Sequence, residues 1–307
     1  MEYMIYKLHF TTAVHFGQGT LADTGHRLMA DTIFSALCHE AAKEDETGMG
    51  ELVGWAEKGG LRISDVLPFI GETLYIPKPA VRIQVEQEGD SVIKKQFKKL
   101  KYIPIDRVEA YLQGKLDPTE ENQRLKQLGY EEVRTLAAGR NKEEPEPFFL
   151  GTYRFREGSG LYFLAGFETE TIRRRFEDLM QGISYSGIGG KRSAGLGKFR
   201  FEGLPFSETA LKRKTGNEKT YITLSVAMAK ENELGAALQG ARYTLVKRSG
   251  FIASTTYAPE NTRKRDFYAF QSGSCFRYPF EGGVFDVSGE GRHKVYRYAK
   301  PLFLEVE

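Results

Sequence analysis

The chain has 307 residues, with 44 Lys and Arg against 41 Asp and Glu, a net charge of +3, and 40% hydrophobic residues. That length allows two domains, the composition is that of an ordinary soluble globular protein, and no run of about 18 apolar residues is present to span a bilayer. The N-terminus lacks the basic, apolar and small-residue regions of a secretory signal. Cys38 and Cys275 are too few for a disulfide framework or a zinc site, so both are expected as small buried hydrophobes in a cytoplasmic protein.

Tyr3–Thr12 alternates as a first strand, and Asp31–Ala42 repeats Ile33, Ala36, Leu37 and Ala41 at helical spacing behind Asp31, a candidate N-cap. Between Pro77 and Pro147, six prolines interrupt a lysine-rich stretch with short alternating pieces such as Val81–Val85. It reads as a long β-rich insertion carrying a projecting β-hairpin, with Glu143–Pro147 as a flexible return. Gly160–Phe167 is a strand. In Glu170–Met180, Ile172, Phe176, Leu179 and Met180 share one helical face, and Gly197–Glu202 is a short strand.

With the insertion set aside, residues 1–205 run βαββαβ, the ferredoxin-like order. Lys212–Lys219 suits a linker. Residues 220–307 begin with a strand at Tyr221–Ala229 and a short helix at Glu231–Gln239. Strands at Arg242–Ser254, Phe267–Phe276, Gly283–Val287 and Leu302–Val306 follow. The fold class expected is therefore α+β, two ferredoxin-like (RRM-like) domains in tandem, although the second half shows little sequence signal for a second helix.

The densest chemistry lies in the glycine-rich loop, residues 186–198. Gly187, Gly189, Gly190, Gly195 and Gly197 surround Lys191, Arg192 and Lys198, with Ser186 and Ser193 as hydroxyls. Glycines let successive N–H groups turn inward around phosphate oxygens, and cations inside such a cradle add charge-assisted hydrogen bonds. A plain surface turn is the alternative, and the interleaved cations favour an anion or nucleic-acid site. Lys191 is followed by Arg192 where a nucleotide-binding P-loop needs Ser or Thr, and a strand rather than a helix follows. Both features argue against nucleotide hydrolysis.

His15 follows the first strand, beside Phe16 and Gly17. It reads either as a general base for RNA cleavage or as a packing or RNA-contacting residue at a strand end. No carboxylate pair or His-Asp doublet stands where metals would be clamped, so no metal or cofactor is expected. Cations cluster again at Lys94–Lys101, Arg173–Arg175, Lys212–Lys214 and Arg263–Arg265. Tyr257, Phe267, Tyr268, Phe270 and Phe276 lie around the last of these; most belong to a core, and one or two exposed rings would suffice to stack bases.

The ordered set HFGQGTL, ADTIFSAL, YSGIGGKRSAGLGKF, KRSGFIAS, RKRDFYAFQSGSCF and YAKPLFL resembles the RAMP superfamily of CRISPR proteins. Within it, the set is most similar to the type III-A (Csm) effector subunit that caps the 5′ end of the guide RNA, from Tyr6 to the C-terminus. The resemblance implies two ferredoxin-like domains, no nuclease activity, and binding of the crRNA 5′ handle. It also implies docking to a large polymerase/HD-nuclease subunit and to an adjacent backbone RAMP subunit. Carried over by position, Gly187, Gly189, Gly190, Lys191, Arg192, Ser193 and Gly195 match the loop that holds handle phosphates. His15, Phe16 and Gly17 match the segment beside it, Lys247, Arg248 and Ser249 match a basic strand end, and residues 77–147 match the family's thumb. A repeat-processing endoribonuclease using His15 is the alternative.

Overall fold

The computed structural model describes residues 1–44, 46–81, 83, 91–138, 146–213, 219–254 and 256–306. In chain order the first part supplies β1 (Glu2–Phe10), α1 (Ala30–Ala41), α2 (Glu46–Glu57), β2 (Leu61–Ile63), β3 (Leu67–Ile70), β4 (Thr73–Pro77), α3 (Ser91–Lys99), β5 (Tyr102–Pro104), α4 (Val108–Leu112), α5 (Pro118–Leu125), β6 (Gly129–Ala138), β7 (Glu146–Phe155), β8 (Ser159–Phe167), α6 (Glu170–Ser186) and β9 (Phe199–Phe206). The second part supplies β10 (Lys212–Arg213), β11 (Thr220–Thr223), α7 (Glu231–Ala237), β12 (Leu245–Arg248), β13 (Phe267–Phe270), β14 (Cys275–Phe276), β15 (Gly283–Asp286), β16 (Tyr296–Ala299) and β17 (Phe303–Val306). The result is a mixed α/β architecture.

Its centre is a seven-stranded antiparallel sheet in the order β5-β4-β3-β8-β1-β9, with β2 running along β8 beyond β3. All nine residues of β8 are buried, because both faces of the sheet are covered. On one face Tyr6, Phe163 and Phe167 meet Phe176 of α6, with ring centroids 5.2–6.0 Å apart. The Tyr6 hydroxyl donates to Glu177 at 2.8 Å. On the other face Ile5, Tyr162 and Leu164 pack with Ile222, Leu224, Leu302 and Leu304. Each such side chain removed from water contributes about 1.5–3 kcal/mol.

The second part forms a four-stranded sheet, β10-β17-β11-β14, and two ribbons, β12-β13 and β15-β16. An isolated bridge, Arg242 with Cys275, extends the sheet past β14 toward β12. No helix stands between Phe276 and Phe303; the β15-β16 ribbon occupies that span, and Tyr298 on it packs on Phe34 of α1 at 5.2 Å. Both large apolar clusters draw on residues from before and after position 205.

α6 starts where its sequence says it should. Thr169 accepts the Ile172 amide at its N-cap, and the buried stripe Ile172, Phe176, Leu179, Met180 and Ile183 follows at helical spacing. Thr169→Ala is expected to cost about 1 kcal/mol, a melting temperature roughly 2 °C lower by calorimetry.

α1 starts differently from expectation. Met29 is its N-cap without a side-chain bond, and Asp31 lies buried inside the first turn. The free Ala30 amide is taken by Asp65, whose Oδ1 also accepts from Val226, both at 2.9 Å. Burial raises the Asp65 carboxyl above its usual range despite these bonds.

The insertion, expected to be β-rich, is largely helical in its first half. α3, α4 and α5 occupy it first, and the hairpin β6-β7 then pairs Gly129–Ala138 with Glu146–Phe155, extending past Pro147. Glu146 and Pro147 open β7 instead of forming a return, while Glu143, Glu144 and Pro145 lie outside the described residues. Of Val81–Val85, Val81 and Ile83 are not in a strand and the rest lie outside the described residues. In the expected linker, Lys212 and Arg213 pair parallel with Glu305 and Val306 of β17, and residues 214–218 lie outside the described set. Cys275 is buried and Cys38 partly so, and burial pushes both thiols up to about 12.

Candidate nucleic-acid interface

The glycine loop begins where α6 ends and is zipped shut across its base. The Ile188 amide donates to the Gly197 carbonyl, the Gly197 amide to Ala13, and the Gly190 amide to His15, each at 2.9 Å. Gly197 has φ +78°, and a Cβ there would lie 2.0 Å from the Ile188 carbonyl oxygen. A Cβ on Gly190 would come within 2.6 Å of the His15 ring. The loop thus lies directly on the segment after β1, as only residues without side chains permit.

At the tip, Lys191 has φ +57°, the one non-glycine in the left-handed region among the described residues, and Arg192–Ala194 make a single 3-10 turn. Among the described residues, the amides of Gly189, Lys191, Arg192 and Ser193 take no acceptor. Unpaired donors around a left-handed residue form a nest that suits an anion, and local strain of this kind concentrates at functional sites.

A cleft of about 640 Å³ opens beside the loop. Three distant segments line it: residues 15–18 with the glycine loop, α1 with the residues before it, and 246–264 of the second part. Arg27, Arg192, Lys247, Arg248 and Lys264 border it with His15 and His39, and no carboxylate lines it among the described residues. A cleft walled by one sign of charge concentrates anions.

The imidazole of His15 is 6% exposed, and its Nδ1 lies 2.7 Å from the Gly151 carbonyl oxygen. A carbonyl only accepts, so Nδ1 donates, which leaves Nε2 as the ring nitrogen not committed to this bond. Burial, then Lys264, Arg192 and Lys43, hold His39 below its ordinary range, which favours a neutral ring there.

Beneath the cleft sits an ionic anchor. Arg248 binds Asp31 with two bonds of 2.8 Å and reaches the Thr32 hydroxyl at 3.1 Å, and Arg297 binds the same carboxylate. Burial alone would raise the Asp31 carboxyl, yet Arg248 and Arg297 beside it hold it below the usual range.

Of the residues the sequence singled out, His15, Phe16, Gly17, Gly189, Gly190, Arg192, Lys247 and Arg248 line the cleft. Ser186, Gly187, Lys191, Ser193, Gly195, Lys198 and Ser249 do not. Lys191 stands 5.4 Å from the Phe148 ring centroid of the hairpin, and Lys198 is exposed at the start of β9. Lys247 is paired with Asp266 at 2.7 Å. Of the five aromatics near Arg263–Arg265, Tyr257, Phe270 and Phe276 are core and Tyr268 is 56% exposed.

Sequence reading missed Arg27, the α1 face and Phe251. Thr32, Ser35, Ala36 and His39 recur at i, i+3, i+4 and i+7, so a helical wheel drawn on the already recognised α1 carries that signal.

Residues 216–306 match the family model of the CRISPR Csm4 C-terminal domain. The chain is 40% identical over 294 residues to the CRISPR system Cms protein Csm4 of Mycobacterium tuberculosis strain H37Rv, covering 94% of this chain and 93% of that protein. It is 33% identical to the Csm4 protein of Streptococcus thermophilus over the whole of both chains. Among solved structures it is similar to a chain of the Csm3-Csm4 subcomplex of the type III-A CRISPR-Cas interference complex. There the TM-score is 0.65, the identity 19%, and the coverage 99% of both chains. A chain of the Csm1-Csm4 cassette in complex with AMPPNP gives a TM-score of 0.62 at 20% identity, covering 99% of this chain and 97% of that one.

Proposed function

The chain belongs to the Csm4 family of CRISPR proteins, and on that premise we propose that it is a non-catalytic RNA-binding subunit of a cytoplasmic type III-A interference complex in antiviral defence. It holds the 5′ handle of crRNA between the glycine loop and the 247–249 strand end. It docks the large polymerase/HD-nuclease subunit on one side and the adjacent backbone RAMP subunit on the other.

The observation that carries this reading is the cleft itself, where Arg27, Arg192 and Lys264 converge from three distant segments beside unpaired loop amides with no carboxylate among the described lining residues, while Lys247 and Arg248 border it already paired with aspartates. Backbone phosphates of a single strand are the ligand such a site fits, and the strand's unstacked bases remain open to reading. Solved chains of this fold sit in one case with a Csm3 protein and in another with a Csm1 protein, which supports the two docking partners proposed here.

We also read the architecture as two ferredoxin-like units, residues 1–205 and 220–307. The order β9-β1-β8-β3 with α1 and α6 on one face supports the first. The order β17-β11-β14, continued by Arg242 and with α7 after β11, supports the second, in which a ribbon replaces the second helix.

Anisotropy titrations of handle RNA at several salt concentrations test the site. Lys191→Ala with Arg192→Ala is expected to weaken binding and to lower the salt slope by about 0.7 for each single-strand phosphate that is no longer neutralised. Unchanged affinity and slope would exclude the loop as the phosphate holder. The same preparations, incubated with repeat RNA without metal, address processing. His15 lines the cleft with Nδ1 committed to the Gly151 carbonyl, which leaves Nε2 as the nitrogen able to act as a base, so cleavage abolished by His15→Ala would replace holding with processing.

A further inference from the structure

The cleft has a wall that phosphate contacts leave unused. α1 presents Thr32, Ser35 and His39 along it, one above another, with the small Ala36 beside them. The Thr32 hydroxyl is already engaged by Arg248 at 3.1 Å, so Ser35 and His39, one helical turn apart, remain as the hydrogen-bonding groups. Phe251, from the loop after β12, also borders the cleft and is 57% exposed. The Arg263 guanidinium stands 5.0 Å from its ring centroid. A cation covers one face of a ring, and the other face is left for a planar partner.

These groups do not resemble a second phosphate site. An exposed ring offers stacking, a serine hydroxyl donates and accepts, and a neutral imidazole does both. Together they complement a nucleobase, which has a π-face and a mixed donor-acceptor edge. A cleft of about 640 Å³ is within the size range of small-molecule pockets.

We propose that this wall reads one splayed base of the bound RNA: the base stacks on Phe251 while its edge is hydrogen-bonded by Ser35 and His39 of α1. The proposal rests on the RNA-holding function above and gives that site its base specificity. Arg192 at the glycine loop then serves the phosphate, and Phe251 and α1 serve the base.

The test uses the full chain, handle RNA, and a set of handle RNAs each carrying one abasic nucleotide. One abasic position is expected to weaken binding about tenfold, the scale of one base stack removed. Phe251→Ala should weaken intact RNA by a similar factor and show no further loss at that position, while Phe251→Trp should restore binding. Ser35→Ala with His39→Leu should even out the affinities for the four bases there. The Lys191→Ala, Arg192→Ala variant should instead lose equally on every abasic RNA. Phe251→Ala binding as tightly as the unaltered chain, or losing equally on intact and abasic RNA, would overturn the base socket and leave the phosphate site standing. An unaltered chain that binds no handle RNA would overturn both.

Discussion

Asp31→Ala is expected to destabilise the chain by about 3–5 kcal/mol, the cost of leaving a buried charge without its partner. Asp31 is 4% exposed and holds both Arg248 and Arg297, which come from β12 and β16, more than 200 residues away. Removing the carboxylate strands two guanidinium groups at the junction of α1 with the second part, and Arg297 already has an unpaired buried Nε. At roughly 2 °C per kcal/mol for a chain of this size, the melting temperature should fall by about 6–10 °C.

The sign of the pH dependence follows from the same pair of arginines. Because they lower the folded-state pKa of Asp31, its contribution is present above the unfolded value near pH 4 and is lost as pH falls through the lower folded value. The variant should therefore lose part of the acid sensitivity seen in the unaltered chain. A melting temperature within a degree of the original would mean that the anchor does not hold the two parts together.

Gly197→Ala is the second change with a large expected effect, and Gly195→Ala is its control. Both glycines have positive φ, +78° and +82°, so both substitutions carry left-handed strain of about 1–2 kcal/mol. Only at Gly197 would the new Cβ strike backbone, 2.0 Å from the Ile188 carbonyl and 2.8 Å from its nitrogen, whereas nothing stands within 4 Å at Gly195. The Ile188–Gly197 clasp must then open, and with it the bond to Ala13, at an added cost of about 1–3 kcal/mol. Handle RNA affinity should fall tenfold or more for Gly197→Ala and much less for Gly195→Ala. Equal effects of the two would show that closure of the loop base is not what shapes the anion nest.

How much of this was legible in the sequence follows from how local each cause is. β8 and α6 showed themselves because their burial pattern lies within one segment, and the glycine loop because its composition is unusual. α2 stayed hidden because Gly48, Gly50 and Gly54 dilute its helical pattern, and its stability comes from packing on α1. α5 had a readable start. Asp117 accepts the Thr119 and Glu120 amides ahead of Pro118 at the first helical position, so that proline begins a helix and does not interrupt one.

The roles of Asp31 and Arg248 depend on partners 217 residues apart. A buried anchor of that span looks from the sequence like a helix cap and a free basic strand end. For the same reason the cleft's third wall, from Phe251 to Lys264, could be seen only as a cluster of charge and aromatics until the fold brought it opposite α1.

The most direct measurement is a crosslink map between a guide RNA bearing its 5′ handle and this chain within the assembled interference complex. Crosslinked peptides should cover the glycine loop, residues 186–198, and the segment from Lys247 to Phe251. Crosslinks confined to residues 207–219, or to residues 139–147, would contradict the placement of the handle in the cleft.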